Sequence, residues 1–315
     1  MALLTGFKTG LSLGVESTPG TGVSATVGAR ASDIPLAPAL KSEQIKTLGG
    51  DGVAPIAAGT ALQVAVDVSG TVKMPTCYQG NALGLLLELA LGSVTTAGTG
   101  PYTHTYALAA DQLSATVYIE RGASGNDDKV TGVKVGKLEL SVSPGQVMEA
   151  SVDFIGMGYT SRTGQSATAP ATPYYVKHNH SGTLSFNSNT YTLASFRLMI
   201  DRKLARVDEL GTLLSAEPTA TDLAEVSLEV ELNARDNTLQ VAALAGTQGD
   251  ATITFSDSPR SLAITLQNAQ ILSYSDPISS VGLVKQKVTF TGFGDGTNHA
   301  LSVVLTNANS SNRAS

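Results

Sequence analysis

The chain of 315 residues has no Trp, a single Cys, 5% aromatics, only 15% charged residues and no excess of positive charge. Each shortage excludes something. One cysteine, Cys77, leaves no intrachain disulfide framework and no multi-Cys zinc site. Without Trp, and with few Tyr and Phe, a sugar-stacking cleft is poorly supplied. With 20 Lys+Arg against 26 Asp+Glu the formal charge is -6, opposite to the basic balance of a general nucleic-acid binder. No run approaches the ~20 apolar residues of a membrane helix. The longest candidate, Ala82–Leu91, is half that and contains Glu88. Within Met1–Gly14, Thr5, Gly6, Thr9, Gly10 and Ser12 interrupt the apolar stretch a signal peptide needs. The expectation is a soluble protein made in the cytoplasm. A chain of this length buries enough surface to fold without metals or disulfides, as two domains or one large β-domain. Charge this sparse is expected when much of the surface meets a partner or copies of the same chain.

What is present is mostly strand pattern. The first sixty residues resemble an arm. Glu16-Ser17-Thr18-Pro19-Gly20-Thr21-Gly22 is turn chemistry, Ile34-Pro35 and Ala37-Pro38 favour extended backbone, and Gly49-Gly50-Asp51-Gly52 is a further break. Strands, a loop packed on a neighbour, or disorder all remain open there. Gln63–Met74 then alternates, with Val64, Val66, Val68, Val72 and Met74 on one parity. In Asn81–Leu91 the period changes. Leu83, Leu86, Leu87 and Ala90 predict a helix buried on one side and stopped by Gly92. Strands are expected at Ala115–Glu120, Val133–Ser143 and Val147–Ile155, the last two joined as a hairpin through Pro144-Gly145-Gln146, with a flexible loop over Gly122–Asp128.

Ser161–Pro173 is small, polar and proline-bearing, the composition of a linker. Beyond it, Tyr191–Asp201, Val226–Ala234, Ala251–Phe255, Leu262–Gln267, Ile271–Ser275 and Lys285–Thr291 are strand candidates. Leu239, Ala242 and Ala243, closed by Gly246, predict a short helix. The order of the first half thus recurs in the second: alternating strand, short helix, strands, closing segment. The closing segments are Val152–Gly158 (VDFIGMG) and Val288–Gly294 (VTFTGFG). A duplicated β-domain with one helix per copy follows.

Chemistry-bearing constellations are thin. His178 and His180, two apart, would share one face of a strand, but no third metal ligand is suitably spaced, and an exposed turn is the plainer reading. His104, between Tyr102 and Tyr106, is expected as a strand residue packed between aromatics; His299 falls in a loop. Cys77 has no local base and suits a small buried hydrophobe. No GxSxG elbow and no GxxxxGK[ST] phosphate loop occurs. Asp127 and Asp128 resemble half a calcium loop without its closing Glu, and a solvated turn is expected there. Glu229 and Glu231 belong to the outer face of a strand. The most basic stretch carries Arg197, Arg202, Lys203 and Arg206 among Asp201, Asp208 and Glu209, and salt bridges to a neighbouring subunit are expected of it. No catalytic residues, cofactor or metal site are assigned.

Taken in order, the segments resemble the major tail tube proteins of long-tailed, siphovirus-like bacteriophages. The features that carry the resemblance are Gly14-Val15-Glu16-Ser17-Thr18-Pro19-Gly20-Thr21, then Val68–Val72 leading into the Leu83–Leu91 helix, Gly92 and Tyr102-Thr103-His104. Lys134–Leu140 leading into Pro144-Gly145-Gln146 and Val152–Gly156, and Gln286–Phe293 with Leu301–Asn307, complete it. The resemblance implies a mainly β fold of two tail-tube-type sandwich or split-barrel domains, each with a short helix, plus an extended N-terminal arm. The expected division is arm 1–60, first tube domain 61–160, linker 161–180, second tube domain 181–306 and a flexible tail 307–315.

By the same resemblance the chain is a structural, non-enzymatic subunit of the virion tail, assembled in the host cytoplasm. Its hairpins join those of its copies into a barrel, in rings stacked around a channel that passes double-stranded DNA. A trimer with pseudo-six-fold symmetry is the implied ring, a hexamer the alternative. Tape measure, tail terminator and tip proteins are the implied partners, and no membrane is. Such channels are usually acidic. The hairpin 133–155 and the pair 269–275 with 285–291 are the candidate inner strands. Their polar parities give the lumen-facing candidates Lys137, Glu139, Ser141, Glu149, Ser151 and Asp153, with Lys285, Lys287 and Thr289, while Met148, Ala150, Val152 and Phe154 face the core. Lys285 and Lys287 do not suit a purely acidic lumen, so either that face is mixed or those are not the strands. Two rivals stand beside this reading: a secreted β-sandwich adhesin or surface-layer module, which would need an export signal, and an enzyme, which would need a catalytic constellation.

Overall fold

The computed structural model describes residues 9–44, 61–122, 127–161, 164, 168–180, 182–276, 284–294 and 299–313. In chain order the first half comprises β1 (Thr9–Val15), β2 (Val27–Ala29), β3 (Ala37–Gln44), β4 (Ala61–Pro75), β5 (Cys77–Gln79), α1 (Leu83–Leu91), β6 (Gly92–Ala97), β7 (Tyr102–Leu108), β8 (Ala115–Arg121), β9 (Asp127–Val142), β10 (Glu149–Gly156) and β11 (Gly158–Ser161). Then come β12 (Tyr174–Tyr175), β13 (Thr183–Phe186), β14 (Asn189–Asp201), β15 (Leu204–Val207), β16 (Ala216–Ala220), β17 (Glu225–Asn233), α2 (Thr238–Leu244), β18 (Gln248–Asp257), β19 (Arg260–Ser275), β20 (Lys285–Thr291) and β21 (Leu301–Asn307). The fold is mainly β, as the alternating segments require.

The expected hairpin is β9–β10. Its turn has the Gln146 N–H donating to the Ser143 carbonyl at 3.1 Å and Gly145 at φ +81°, a conformation that favours glycine. Leu262–Gln267 and Ile271–Ser275, expected as separate strands, are one strand, β19, bent where Asn268 takes φ +45°. The helix also differs from expectation. Every residue of α1 is buried, Glu88 included, rather than one stripe. Gly92 ends it at φ +92°. The loop expected at Gly122–Asp128 lies mostly outside the described residues, and Asp127 and Asp128 already belong to β9.

A central antiparallel sheet runs in the order β3-β4-β10-β9-β14-β17-β20-β19. It crosses the polar Ser161–Pro173 stretch through the β9–β14 ladder, in which Phe196 faces Val142 and Asp201 faces Lys137. One face of this sheet is core: Val72, Met74, Ala150, Val152, Phe154, Leu138, Leu140, Leu198, Ile200, Leu228, Val230, Val288 and Phe290 are all buried. Met148, also expected in the core, is buried too. The N-terminal halves of β9 and β19 leave the central sheet for other partners, β8 and β11 for β9, β18 and β21 for β19.

The pairing pattern recurs 136 residues along. Phe154 opposite Val135 is matched by Phe290 opposite Ile271, and both ladders skip a residue there, Gly136 in β9 and Leu272 in β19. A second irregularity recurs around Gly132 (φ +63°) and Asn268 (φ +45°). The backbone bond from Met157 N–H to Thr131 O has its counterpart from Phe293 N–H to Gln267 O.

Candidate functional site

Because strand side chains alternate, the core face of the central sheet has an opposite face of the other parity. All nine lumen candidates lie on it. Across the β10–β9 ladder, Glu149 faces Ser141, Ser151 faces Glu139 and Asp153 faces Lys137. Across β17–β20, Thr289 faces Glu229, Lys287 faces Glu231 and Lys285 faces Asn233. β14 joins the two groups, with Arg197 opposite both Ser141 and Glu229. None of the nine is buried.

The face is held by short charged contacts. Arg197 Nη2 lies 2.6 Å from Glu139 Oε2. Lys285 Nζ lies 2.5 Å from Glu231 and Lys287 Nζ 2.6 Å from Glu229. Thr71 Oγ1 donates to Asp153 Oδ1 at 2.6 Å. Hydrogen bonding from Arg197 holds the Glu139 carboxyl below the usual carboxylate range and raises the guanidinium in return. Lys203, bridging Asp201 and Glu225 at 3.0 and 2.8 Å, is pushed up by the hydrogen bonds its ammonium donates to Glu225 and Asp201. The two lysines that did not suit an acidic surface are therefore paired with carboxylates, and the face is mixed in sign. An open concavity of about 260 Å³ on it is lined by Glu139, Arg197, Glu229, Glu231 and Lys287 among others.

Salt bridges expected from Arg197–Arg206 to a neighbouring subunit are made within the chain. Arg206 meets Asp67 at 3.1 Å, and Arg202, buried, donates to the Ala109 carbonyl at 2.8 Å. The sequence could not show the contacts of Arg197 with Glu139, Arg202 with Ala109 or Arg206 with Asp67, because these partners are more than fifty residues away. Asp127 and Asp128 are buried rather than solvated; Asp128 meets Arg121 at 2.6 Å. His178 and His180 sit in a 3-10 turn, and His180 Nδ1 lies 3.1 Å from Tyr78 Oη rather than at a metal position. No group of three His, Cys, Asp or Glu residues that could hold a metal occurs among the described residues. His104 is fully buried in β7, and its ring nitrogens meet Thr96, Asn307 and Asn309. Cys77 is a buried thiol, pushed up to about 12 by desolvation.

Two carboxylates carry structural roles that the sequence reading did not assign. Glu16, within the Gly14–Thr21 run, is buried and accepts bonds from Gly20 N–H, Gly132 N–H, Ser114 Oγ and Thr116 Oγ1. Glu88 in α1 accepts two bonds from Arg313, at 2.6 and 2.9 Å, and one from Asn312 at 2.7 Å. The segment expected as a tail from 307 thus begins as the last residue of β21 and closes over the helix. Gly84 permits that approach, since a Cβ there would lie 2.6 Å from the Asn312 carbonyl oxygen.

Compared with known protein families, residues 6–292 match that of the phage tail tube proteins. The chain belongs to this family. No individual curated protein matches it. As a tail tube protein it is a structural component of the virion tail, its family assembles with itself into a tube alongside other tail proteins, and the family is not a class of enzymes. No described helix of this tube protein is long and apolar enough to cross a membrane.

Proposed function

We propose that this tube protein closes into rings whose central sheets form one barrel, and that the polar face bearing Lys137, Glu139, Ser141, Glu149, Ser151, Asp153, Lys285, Lys287 and Thr289 lines the channel through which double-stranded DNA passes. The observation that carries this is that one sheet continues from β3 to β19 through both halves of the chain, with all nine residues on one face and the core on the other. Each half supplies four strands of it, one tube domain apiece, and the pairing recurs 136 residues along. Closure removes the sheet's two edges, the chief aggregation hazard of a β-rich chain.

Barrel geometry favours a trimer over a hexamer. With strands about 4.8 Å apart and tilted about 40°, three eight-strand sheets close at a backbone diameter of roughly 48 Å. Once inward side chains are allowed for, that bore suits duplex DNA. A hexamer of two-domain chains would close at roughly 95 Å, far wider than the duplex requires. Three chains of two domains give the pseudo-six-fold ring. Tape measure, terminator and tip proteins would meet the stacked rings during assembly in the host cytoplasm.

Electron microscopy of the purified full-length protein tests the reading. The expected result is hollow tubes of stacked rings with three chains per ring and the β9–β10 and β19–β20 hairpins facing the bore. A protein that stays monomeric at high concentration, or tubes lined by other strands, would overturn it.

A further inference from the structure

The recurrence at 136 residues does more than describe the two halves. It supplies a template for how one copy meets the next. In β9, the segment Lys137–Val142 has β10 on one side and β14 on the other. The equivalent segment of β19, from Ser273 onward, has β20 on one side and, among the described residues, no strand on the other. β14 has its own counterpart at the opposite end of the sheet. Ser195 pairs with Glu231 and Asp201 with Glu225 in β14–β17. Asp33 pairs with Lys73 and Ala39 with Asp67 in the same spacing, the latter in β3–β4. Residues 33–39 therefore correspond to 195–201, and β3 pairs only with β4 among the described residues. Among the described residues the central sheet thus contains one internal seam, β9–β14, and two free edges that are its two halves.

We propose that β19 of one copy pairs antiparallel with β3 of the next in the register of the β9–β14 seam. Transferring Asp201↔Lys137 and Met199↔Glu139 gives Ala39↔Ser273 and Ala37↔Ser275 between copies. This rests on the ring reading above and names the strands that close it. In the internal seam Arg202 N–H donates to Gly136 O at 2.8 Å. The counterparts are Leu40 and Leu272, which the register sets directly opposite each other. These are two of the more exposed large apolar residues of the protein, at 67% and 62% exposure. Two lone leucines in water on two separate edges become a cross-strand apolar pair. Tyr274, half-buried, comes opposite Pro38. Pro38 occupies a position whose N–H would point outward, since Asp33 N–H points inward to Lys73 O and strand donors alternate. The seam forgoes that one bond, and the free edge in turn is a poorer template for unspecific pairing.

Cysteine pairing in the full-length protein tests the register. Ala39↔Ser273 is a non-hydrogen-bonded pair, with Cα atoms about 4.5 Å apart, within the range a disulfide spans. Ala39→Cys combined with Ser273→Cys, oxidised during assembly, should give intermolecular cross-linked dimers and a closed-ring species on a non-reducing gel. The shifted combination Ala37→Cys with Ser273→Cys should give roughly tenfold less, because its Cα separation falls outside that range. Native Cys77 is buried and stays in both. Tubes visible by microscopy without the Ala39–Ser273 cross-link would overturn the seam and leave the ring reading standing. Equal cross-linking of both combinations would overturn the register. Failure of the unsubstituted protein to form tubes would overturn the ring reading and the seam together, whereas a cross-linked linear ladder would support the seam alone.

Discussion

Glu16 shows how a short turn sequence can act far from itself. Its carboxylate, 4% exposed, is shared by Gly20 N–H at 2.9 Å, Gly132 N–H at 3.0 Å, Ser114 Oγ at 2.8 Å and Thr116 Oγ1 at 2.7 Å. One side chain thereby fixes the turn after β1 to Thr116 of β8 and to the backbone at Gly132, where φ is +63°. Removing it leaves four donors with no acceptor inside the protein, and unsatisfied buried donors cost more than the bonds they replace. Glu16→Ala should lower stability by about 3 kcal/mol, read by urea unfolding of the unassembled subunit, with an unchanged slope against denaturant. Glu16→Gln, which keeps an acceptor oxygen, should lose less. A Glu16→Ala variant as stable as the parent would show that β1 is held by its strand pairing alone. The turn chemistry of Glu16–Gly22 was legible in the sequence, but the role of the carboxylate was not. Apart from Gly20, its partners lie about a hundred residues away, and nothing in local spacing points to them.

Elements were legible where one period held. Val226–Ala234 alternates without interruption, and β17 spans it almost residue for residue. The sequence of β19 has the pattern of two strands because its parity breaks at Asn268, where positive φ lets one strand bend from one set of partners to another. The apolar stripe of α1 was visible, whereas the burial of its polar side was not. Glu88 is covered by Arg313, far along the chain. Strand order was the least legible. The polar parity of β9 and β10 could be listed from sequence, but the β9–β14 ladder that brings Arg197 onto Glu139 is a non-local pairing. That contact makes a pH-dependent prediction for the seam. A carboxyl whose folded pKa is depressed contributes stability above its unfolded pKa and loses it as pH falls through the folded value. The Glu139 carboxyl is depressed, chiefly by hydrogen bonding from Arg197. Arg197→Ala should therefore be less stable than the parent at neutral pH, and the difference should shrink as pH drops below the ordinary carboxylate range. The pH dependence of urea midpoints for the two proteins measures this. A constant difference across that range would mean that Arg197 acts through packing rather than charge.

For the whole molecule, the question raised by the proposed channel is how its polar lining would let DNA pass without gripping it. The polar face of the central sheet is not simply acidic; Lys285 and Lys287 lie on it with more than half of each side chain exposed. Their charge is offset in place by Glu231 and Glu229, so the -6 of the chain is accompanied by pairing at short range. Free lysines facing a duplex would act differently. Each phosphate contact releases counterions and adds close to one unit to the salt dependence of binding. Replacing both glutamates by glutamine keeps size and parity while freeing two cations per subunit. Exposed ion pairs contribute about 0–1 kcal/mol each, so Glu229→Gln with Glu231→Gln should fold and assemble. Tubes of this variant should retain short duplex DNA at about 50 mM salt and release it toward about 200 mM, whereas tubes of the parent protein should retain little at either. Virions carrying the variant should have tails of normal length and a slower, salt-sensitive release of their genome. If DNA retention and release match the parent, the β17–β20 face does not line the channel. The low charge of the chain would then belong to contacts between copies alone.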